Sequence, residues 1–184
     1  MNIKKTANLL INFAIKRLAE MFGVVIFVSG LLLSLSLFTY SPEDPNFIFP
    51  QNSEINNLLG FQGSFVSDLF LQSFGLISYM IAFTFIITGI NIFRTKEFFL
   101  ILENLFFTII YLILGTLFLS YYYSNSFILF INGNGGFVGS YFSKTFLNSI
   151  IQINETIFYY ILILANIFLF LISINFNPIK FYNV

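Results

Sequence analysis

The chain has 184 residues, of which 58% are hydrophobic and only 9% charged, and its formal net charge is zero. Soluble domains carry about 25% charged residues, so the composition sets aside a water-soluble globular protein in favour of an integral membrane one. With no Cys and no His, disulfides, thiolate metal sites, the commonest metal ligand and the usual general base near neutral pH are all excluded.

In chain order, residues 1–20 read as a cytoplasmic amphipathic segment. Ile3, Ala7, Leu10, Ile11, Ala14 and Leu18 recur at helical spacing on one face, with Lys5, Asn8, Asn12 and Lys16 on the other. Such a helix either rests on an anionic leaflet or is a soluble extension of the first span. The apolar run that follows is too long for a secretory signal core and lacks a small-residue cleavage site. It is expected to stay as a first span over about 21–39.

The motif TYSPEDPNF then ends that span with Ser-Pro and Asp-Pro turn signals. The loop expected over 40–68 holds four acids, Glu43, Asp44, Glu54 and Asp68, and no Lys or Arg. A second span is expected over about 69–93, a basic turn FRTKE at 93–97, and a third span over about 98–120. A loop over 121–156 contains three consecutive tyrosines and the sequence NGNGG. A fourth span over about 157–174 and a tail over 176–184 complete the chain.

Basic residues set the expected orientation. Lys4, Lys5, Lys16, Arg17, Arg94, Lys96 and Lys180 fall on one side and only Lys144 on the other. The positive-inside rule places both termini and the middle turn in the cytoplasm. The predicted fold is therefore an all-α integral membrane domain over 21–175, made of four transmembrane helices.

One phrase occurs twice. GFQGSFVSDLFL at 60–71 and GFVGSYFSKTFL at 136–147 share seven of twelve positions without gaps. Each copy precedes a span returning inward, so the four helices read as two repeated hairpins. Gly60, Gly63, Ser64 and Ser67 are spaced i, i+3, i+4, i+7, as are Gly136, Gly139, Ser140 and Ser143. On a helix each set forms a small-residue stripe that lets backbones approach closely, within the chain or between subunits. The plainer alternative is that these glycines only make loop–helix junctions.

Sites of chemistry are sparse. No phosphate-cradling GxxxxGK[ST] occurs, and NGNGG follows no strand. The span middles carry no ionisable group, where one would mark an ion path. Asn166 reads as helix–helix glue, and Glu103, about one and a half turns into the third span from its inner end, as a residue that snorkels or pairs with a cytoplasmic Arg or Lys. The acids of the first loop lack the dense spacing of a calcium loop.

With spans and loops in place, the sequence resembles the N-terminal four-span membrane region of FtsK/SpoIIIE-type DNA translocases. The carriers are TYSPEDPNF, then NLLGFQGSFVSDLFLQSFGLISY into the second span, and GNGGFVGSYFSKTFL before the fourth. Ser64, Ser67 and Ser78 stand where the family usually has Ala, and Phe47 where it has Trp. The resemblance implies a role in cell division and chromosome segregation: anchoring a motor at the division septum of a bacterial inner membrane, assembling as a homo-oligomer, and contacting other division proteins. It implies contacts at the loop motif Tyr40, Ser41, Pro42, Asp44 and Pro45. The family's linker, ATP-driven motor and DNA-reading winged helix would follow the fourth span, where this sequence stops. The expectation is therefore either part of a longer translocase or a stand-alone version, with no catalysis, cofactor, metal, ATP or direct nucleic-acid contact in this chain. The alternative is a small multipass transporter or channel subunit, which would need polar residues at mid-depth.

Overall fold

Long apolar runs broken by Gly, Pro and Asn clusters dictate helices joined by short irregular loops. The computed structural model describes residues 3–45, 54–124 and 132–176. Within them lie seven helices and no strand: α1 (Ile3–Phe38), α2 (Gly60–Phe74), α3 (Ile77–Thr95), α4 (Leu100–Tyr122), α5 (Gly136–Phe142), α6 (Phe146–Ile153) and α7 (Glu155–Ser173). All of the expected tail after Phe176, including Lys180, and the loop stretches 46–53 (with Phe47) and 125–131, lie outside the described residues.

Among the described residues four helices are long and apolar enough to cross a membrane: α1 from Asn8 to Phe38, α3, α4 and α7. A bilayer core needs about 20 such residues. The stretches expected as the first and third spans overlap α1 and α4, which end at Phe38 and begin at Leu100. Two boundaries differ from the sequence reading. Residues 3–20 and the first span share one unbroken helix, α1. The stretch expected as a single span over 69–93 is divided between α2 and α3 at Gly75.

The division at Gly75 has a local cause. Its φ of +59° is accessible to glycine at little cost, and its N–H donates to Leu71 O at 2.8 Å, closing the end of α2. A Cβ there would collide with the backbone carbonyl of Asn134. The Leu76 N–H, freed by the break, donates to Asn134 O at 2.9 Å.

Packing follows the hairpins. α1 lies against α3, and α4 against α7, with α2 laid on α1 and α5 on α4. Each hairpin has its own apolar cluster. Leu33, Leu37, Leu71, Ile81 and Ala82 form one; Leu117, Ile151 and Leu162 form the other. The α1–α3 contact is made through glycines: a Cβ on Gly89 would stand 2.5 Å from Phe27 N and 2.7 Å from Gly23 O. Gly30 abuts the Ile86 backbone in the same way, at 2.7 Å. Glycine-lined approach of this kind is how membrane helices gain contact area without a hydrophobic driving force between them.

Candidate functional site

The first copy of the repeated phrase is built on a glycine turn. Gly60 has φ +64°, and its N–H donates to Asn57 O at 2.9 Å. α2 starts there and turns Gly63, Ser64 and Ser67 into the protein, where all three are buried. Ser36 of α1 donates its hydroxyl to Gly63 O at 2.5 Å. Ser64 Oγ donates to Pro45 O at 2.8 Å, and Ser67 Oγ to Gly63 O and Ser64 O at 2.9 and 3.0 Å. The small stripe thus joins α2 both to α1 and to the loop motif.

Asp44 is the centre of that loop motif. It is 2% exposed, and its carboxylate accepts from Asn56 N (2.8 Å), Asn56 Nδ2 (3.1 Å) and Asn57 N (2.9 Å). Asn57 in turn donates through Nδ2 to Ser36 O and Thr39 O at the end of α1, at 2.9 and 3.2 Å. Pro42 fixes a turn in which Asp44 N–H donates to Ser41 O at 3.2 Å. Pro45 is buried with Asp44, whereas Pro42 and Glu43 are exposed. Tyr40 donates to Asp68 Oδ1 of α2 at 3.4 Å. Burial first, and then the negative charge of Asp68, push its phenol up to about 12.

The second copy repeats the opening. Gly136 also has φ +64°, and its N–H donates to Gly133 O at 3.1 Å. Here the stripe meets backbone: a Cβ on Gly139 would collide with Thr116 O and Ser120 Oγ of α4. Ser140 and Ser143 hydrogen-bond only within their own turn, to Phe137 O and Ser140 O. The two copies meet where Gly136 backs onto the Ser73–Gly75 turn. Asn134 ties this junction to α4, donating through Nδ2 to Tyr123 O, and Asn132 donates to Gln72 O at 3.2 Å. The structure therefore brings the first stripe and the loop motif into one unit, and places the end of α2 beside the start of α5.

Between the helices runs a neutral polar ladder that the sequence reading largely missed. Thr84 and Tyr111 share a hydrogen bond of 2.9 Å between their hydroxyls. Asn104 donates to Thr88 Oγ1 at 2.8 Å and accepts from Asn175 Nδ2 at 2.6 Å. Asn166 donates to Tyr111 O at 2.8 Å, joining α7 to α4 as glue. These groups hydrogen-bond one another across helices, and lone threonines in apolar runs gave no periodic signal of it. Ser29, Thr84, Thr88, Asn104 and Thr108 also line a cleft of about 240 Å³ between α1, α3 and α4. A larger cleft of about 430 Å³, walled by Leu32, Leu33, Val66, Phe70 and Phe85, lies under α2. Among the described residues no group of three acids is placed to hold a metal ion. Glu103 is exposed; the ion pair that ties α1 to the α3–α4 turn is instead Glu20 with Lys96, at 2.9 Å.

A family model for the 4TM region of DNA translocase FtsK/SpoIIIE matches residues 15–177. The DNA translocase FtsK of Rickettsia typhi (strain ATCC VR-144 / Wilmington) is 28% identical over 153 residues, covering 81% of this chain and 20% of the relative. That of Rickettsia bellii (strain RML369-C) is 29% identical over 132 residues, covering 70% of this chain and 17% of the relative. That of Rhizobium meliloti (strain 1021) is 35% identical over 69 residues, covering 38% of this chain and 8% of the relative. The matched region spans at most 20% of the length of these relatives. No solved structure matches.

Proposed function

Since the chain belongs to the family of the FtsK/SpoIIIE four-transmembrane region, we propose that it is the anchoring and assembly module of a DNA translocase in a bacterial inner membrane. In this role it holds a motor at the division septum during chromosome segregation, assembles with further copies of itself, and touches other division proteins. The work is done by shape and needs no catalysis, cofactor, ATP or nucleic-acid contact from this chain. Both termini and the 93–97 turn face the cytoplasm, in line with the distribution of Lys and Arg.

The observation that carries this reading is the matched pair of glycine turns at Gly60 and Gly136. Each seats a phrase on its own outgoing helix, and together they make one platform at the loop end of the bundle. Gly63, Ser64, Ser67 and Gly139 lie inside the platform and keep its shape. Partly open Gly60, Ser140 and Ser143, and exposed Phe61, Phe137 and Tyr141, supply its contact surface. Of the loop motif, Tyr40, Asp44 and Pro45 act as braces, leaving Pro42 and Glu43 at the contact edge beside half-buried Ser41.

A fluorescent fusion of the chain in dividing cells is expected to concentrate at the septum; uniform membrane fluorescence would overturn the septal part. Gly63→Leu and Gly139→Leu are each expected to lower self-cross-linking in detergent, and unchanged cross-linking in both would overturn the assembly part. Orientation is read separately, because the chain has no Cys. Glu43→Cys should react with an impermeant reagent outside the cell and Thr95→Cys should not. The cleft lined by Ser29, Thr84 and Asn104 is the one feature that favours the transporter or channel alternative, and saturable flux through purified protein in liposomes would establish it.

A further inference from the structure

The end of the bundle that carries the α3–α4 turn is closed by α1. Glu20 Oε1 meets Lys96 Nζ at 2.9 Å, and Glu20 also pairs with Arg17. Just beyond, Gly23 backs onto the Phe93 backbone and α3 ends at Thr95. Ala19 is fully buried there. Yet α1 continues past this point in the N-terminal direction, from Leu18 back to Ile3, which at 1.5 Å per residue is about 24 Å.

Nothing in the described chain covers that extension. Every residue from Asn8 to Leu18 is exposed, including Leu10 at 65%, Phe13 at 59% and Ile15 at 51%. Asn8, Asn12 and Lys16 follow one another at i, i+4, i+8 and make a narrow polar strip. Leu9, Leu10, Ile11, Phe13, Ala14, Ile15 and Leu18 occupy the rest of the circumference, interrupted only by Arg17, which lies over the Phe13 ring and pairs with Glu20. At 100° per residue these positions span an arc of about 240°, of which about 140°, from Leu10 round to Ile15, is uninterrupted by Arg17, against a stripe of at least about 100° for a helix packed on a protein core. A single partner helix would leave part of the arc in water, whereas a leaflet covers its apolar residues and lets Arg17 snorkel to the headgroups. Charge points the same way. Lys4, Lys5, Lys16 and Arg17 precede the first acid, Glu20, and Glu20 is already paired with Arg17 and Lys96.

We propose that residues 8–18 lie in the headgroup–acyl boundary of an anionic leaflet, with the apolar arc in the hydrocarbon and Asn8, Asn12 and Lys16 toward water. α1 is unbroken in the structure, so lying along the surface requires it to bend between Ala19 and Gly23, where glycine is the weakest helix former of the stretch. The segment then lays the protein along the lipid at the end from which the basic residues protrude. Only the identity of the leaflet rests on the orientation proposed above; the contact itself does not.

The Cys-free chain allows a direct test. Phe13→Cys and Asn12→Cys, about 100° apart with Asn12 at the centre of the polar strip and Phe13 in the apolar arc, are each labelled with a nitroxide in nanodiscs containing phosphatidylglycerol. The expected result is that the label at 13 is relaxed more by oxygen than by an aqueous nickel complex, with the order inverted at 12. This contrast should shrink in phosphatidylcholine alone and in Lys16→Glu. Equal access of the nickel complex to both labels would overturn the proposal. So would a label at 13 shielded from both reagents whose spectrum sharpens on dilution with unlabelled protein, the signature of a second copy. A contrast identical in the two lipids, and unaltered in Lys16→Glu, would overturn the anionic specification. Nanodiscs present both leaflets alike, so an error in the assigned orientation leaves this measurement unaffected.

Discussion

The two copies of the phrase share their opening and part company at the ninth residue. Gly60 and Gly136 adopt the same left-handed φ and close the same kind of turn to a carbonyl three residues back. After that, α2 runs on for 15 residues, while α5 stops after 7. The alignment sets Asp68-Leu69 against Lys144-Thr145. In the first copy, Asp68 keeps a helical backbone and receives the Tyr40 hydroxyl. In the second, Thr145 turns extended (φ −91°, ψ −177°), and its side chain accepts from Leu147 N at 3.4 Å to start α6. Threonine competes with the helix through such local hydrogen bonds and suits an N-cap, as leucine does not. Glycines therefore fix how each copy begins, and one side chain decides how far it extends.

The largest expected effects separate the two glycine turns. A Cβ on Gly60 meets nothing within 4 Å, whereas one on Gly136 stands 2.6 Å from Gly75 N and the Ser73 backbone. Gly60→Ala should lose stability only through the left-handed backbone strain it introduces, about 1–2 kcal/mol. Gly136→Ala adds overpacking against rigid backbone of about 1–3 kcal/mol, for a total of about 2–5. Reversible unfolding in mixed micelles checks the ranking, and equal losses would mean that the junction between the copies yields freely.

The brace on the first copy comes next. Asp44→Ala removes a buried acceptor of three hydrogen bonds and strands the Asn56 and Asn57 N–H groups. Hydrogen bonds to a charged group are worth about 1.5–3 kcal/mol, so a loss of about 3 kcal/mol is expected. Hydrogen exchange should quicken at Asn57–Ser67 and stay unchanged at Gly136–Phe142. Spread of the change into the second copy would show that the two units are one.

Much of this arrangement was legible beforehand, for identifiable reasons. Runs of apolar residues without charge mark spans whatever their partners are, so α1, α4 and α7 follow from hydropathy. The duplicated phrase showed itself through glycines whose backbone role is the same in both places. The break at Gly75 was not legible, because it depends on Asn134, 59 residues later in the chain. Asp44 read as part of a contact loop because a carboxylate flanked by prolines gives no hint that Asn56 and Asn57 will bury it. The glycine approach of Gly23 to Gly89 was equally hidden: each glycine is isolated in its own helix, and only the pairing of α1 with α3 gives it meaning.

The smallest effect concerns Asp68, where the copies differ in charge. Tyr40 is pushed up to about 12 from 10.0 by burial and by Asp68, with Asp44 adding to the rise and Gln72 opposing it. Its folded-state value is raised, so below pH 10 the phenol is protonated in both states and its contribution is whole. Between pH 10 and 12 the unfolded chain releases the proton first, and stability falls as pH rises toward 12. The difference between wild type and Tyr40→Phe should therefore shrink over that interval. Asp68→Lys, which imports the residue of the second copy, replaces a raising charge by a lowering one. The Tyr40 phenolate, followed by its ultraviolet absorbance against a Tyr40→Phe background, should then form at lower pH. Burial acts before charge in setting this value, so the shift should reverse only in part; an unchanged titration would show that Asp68 has no electrostatic hold on the phenol.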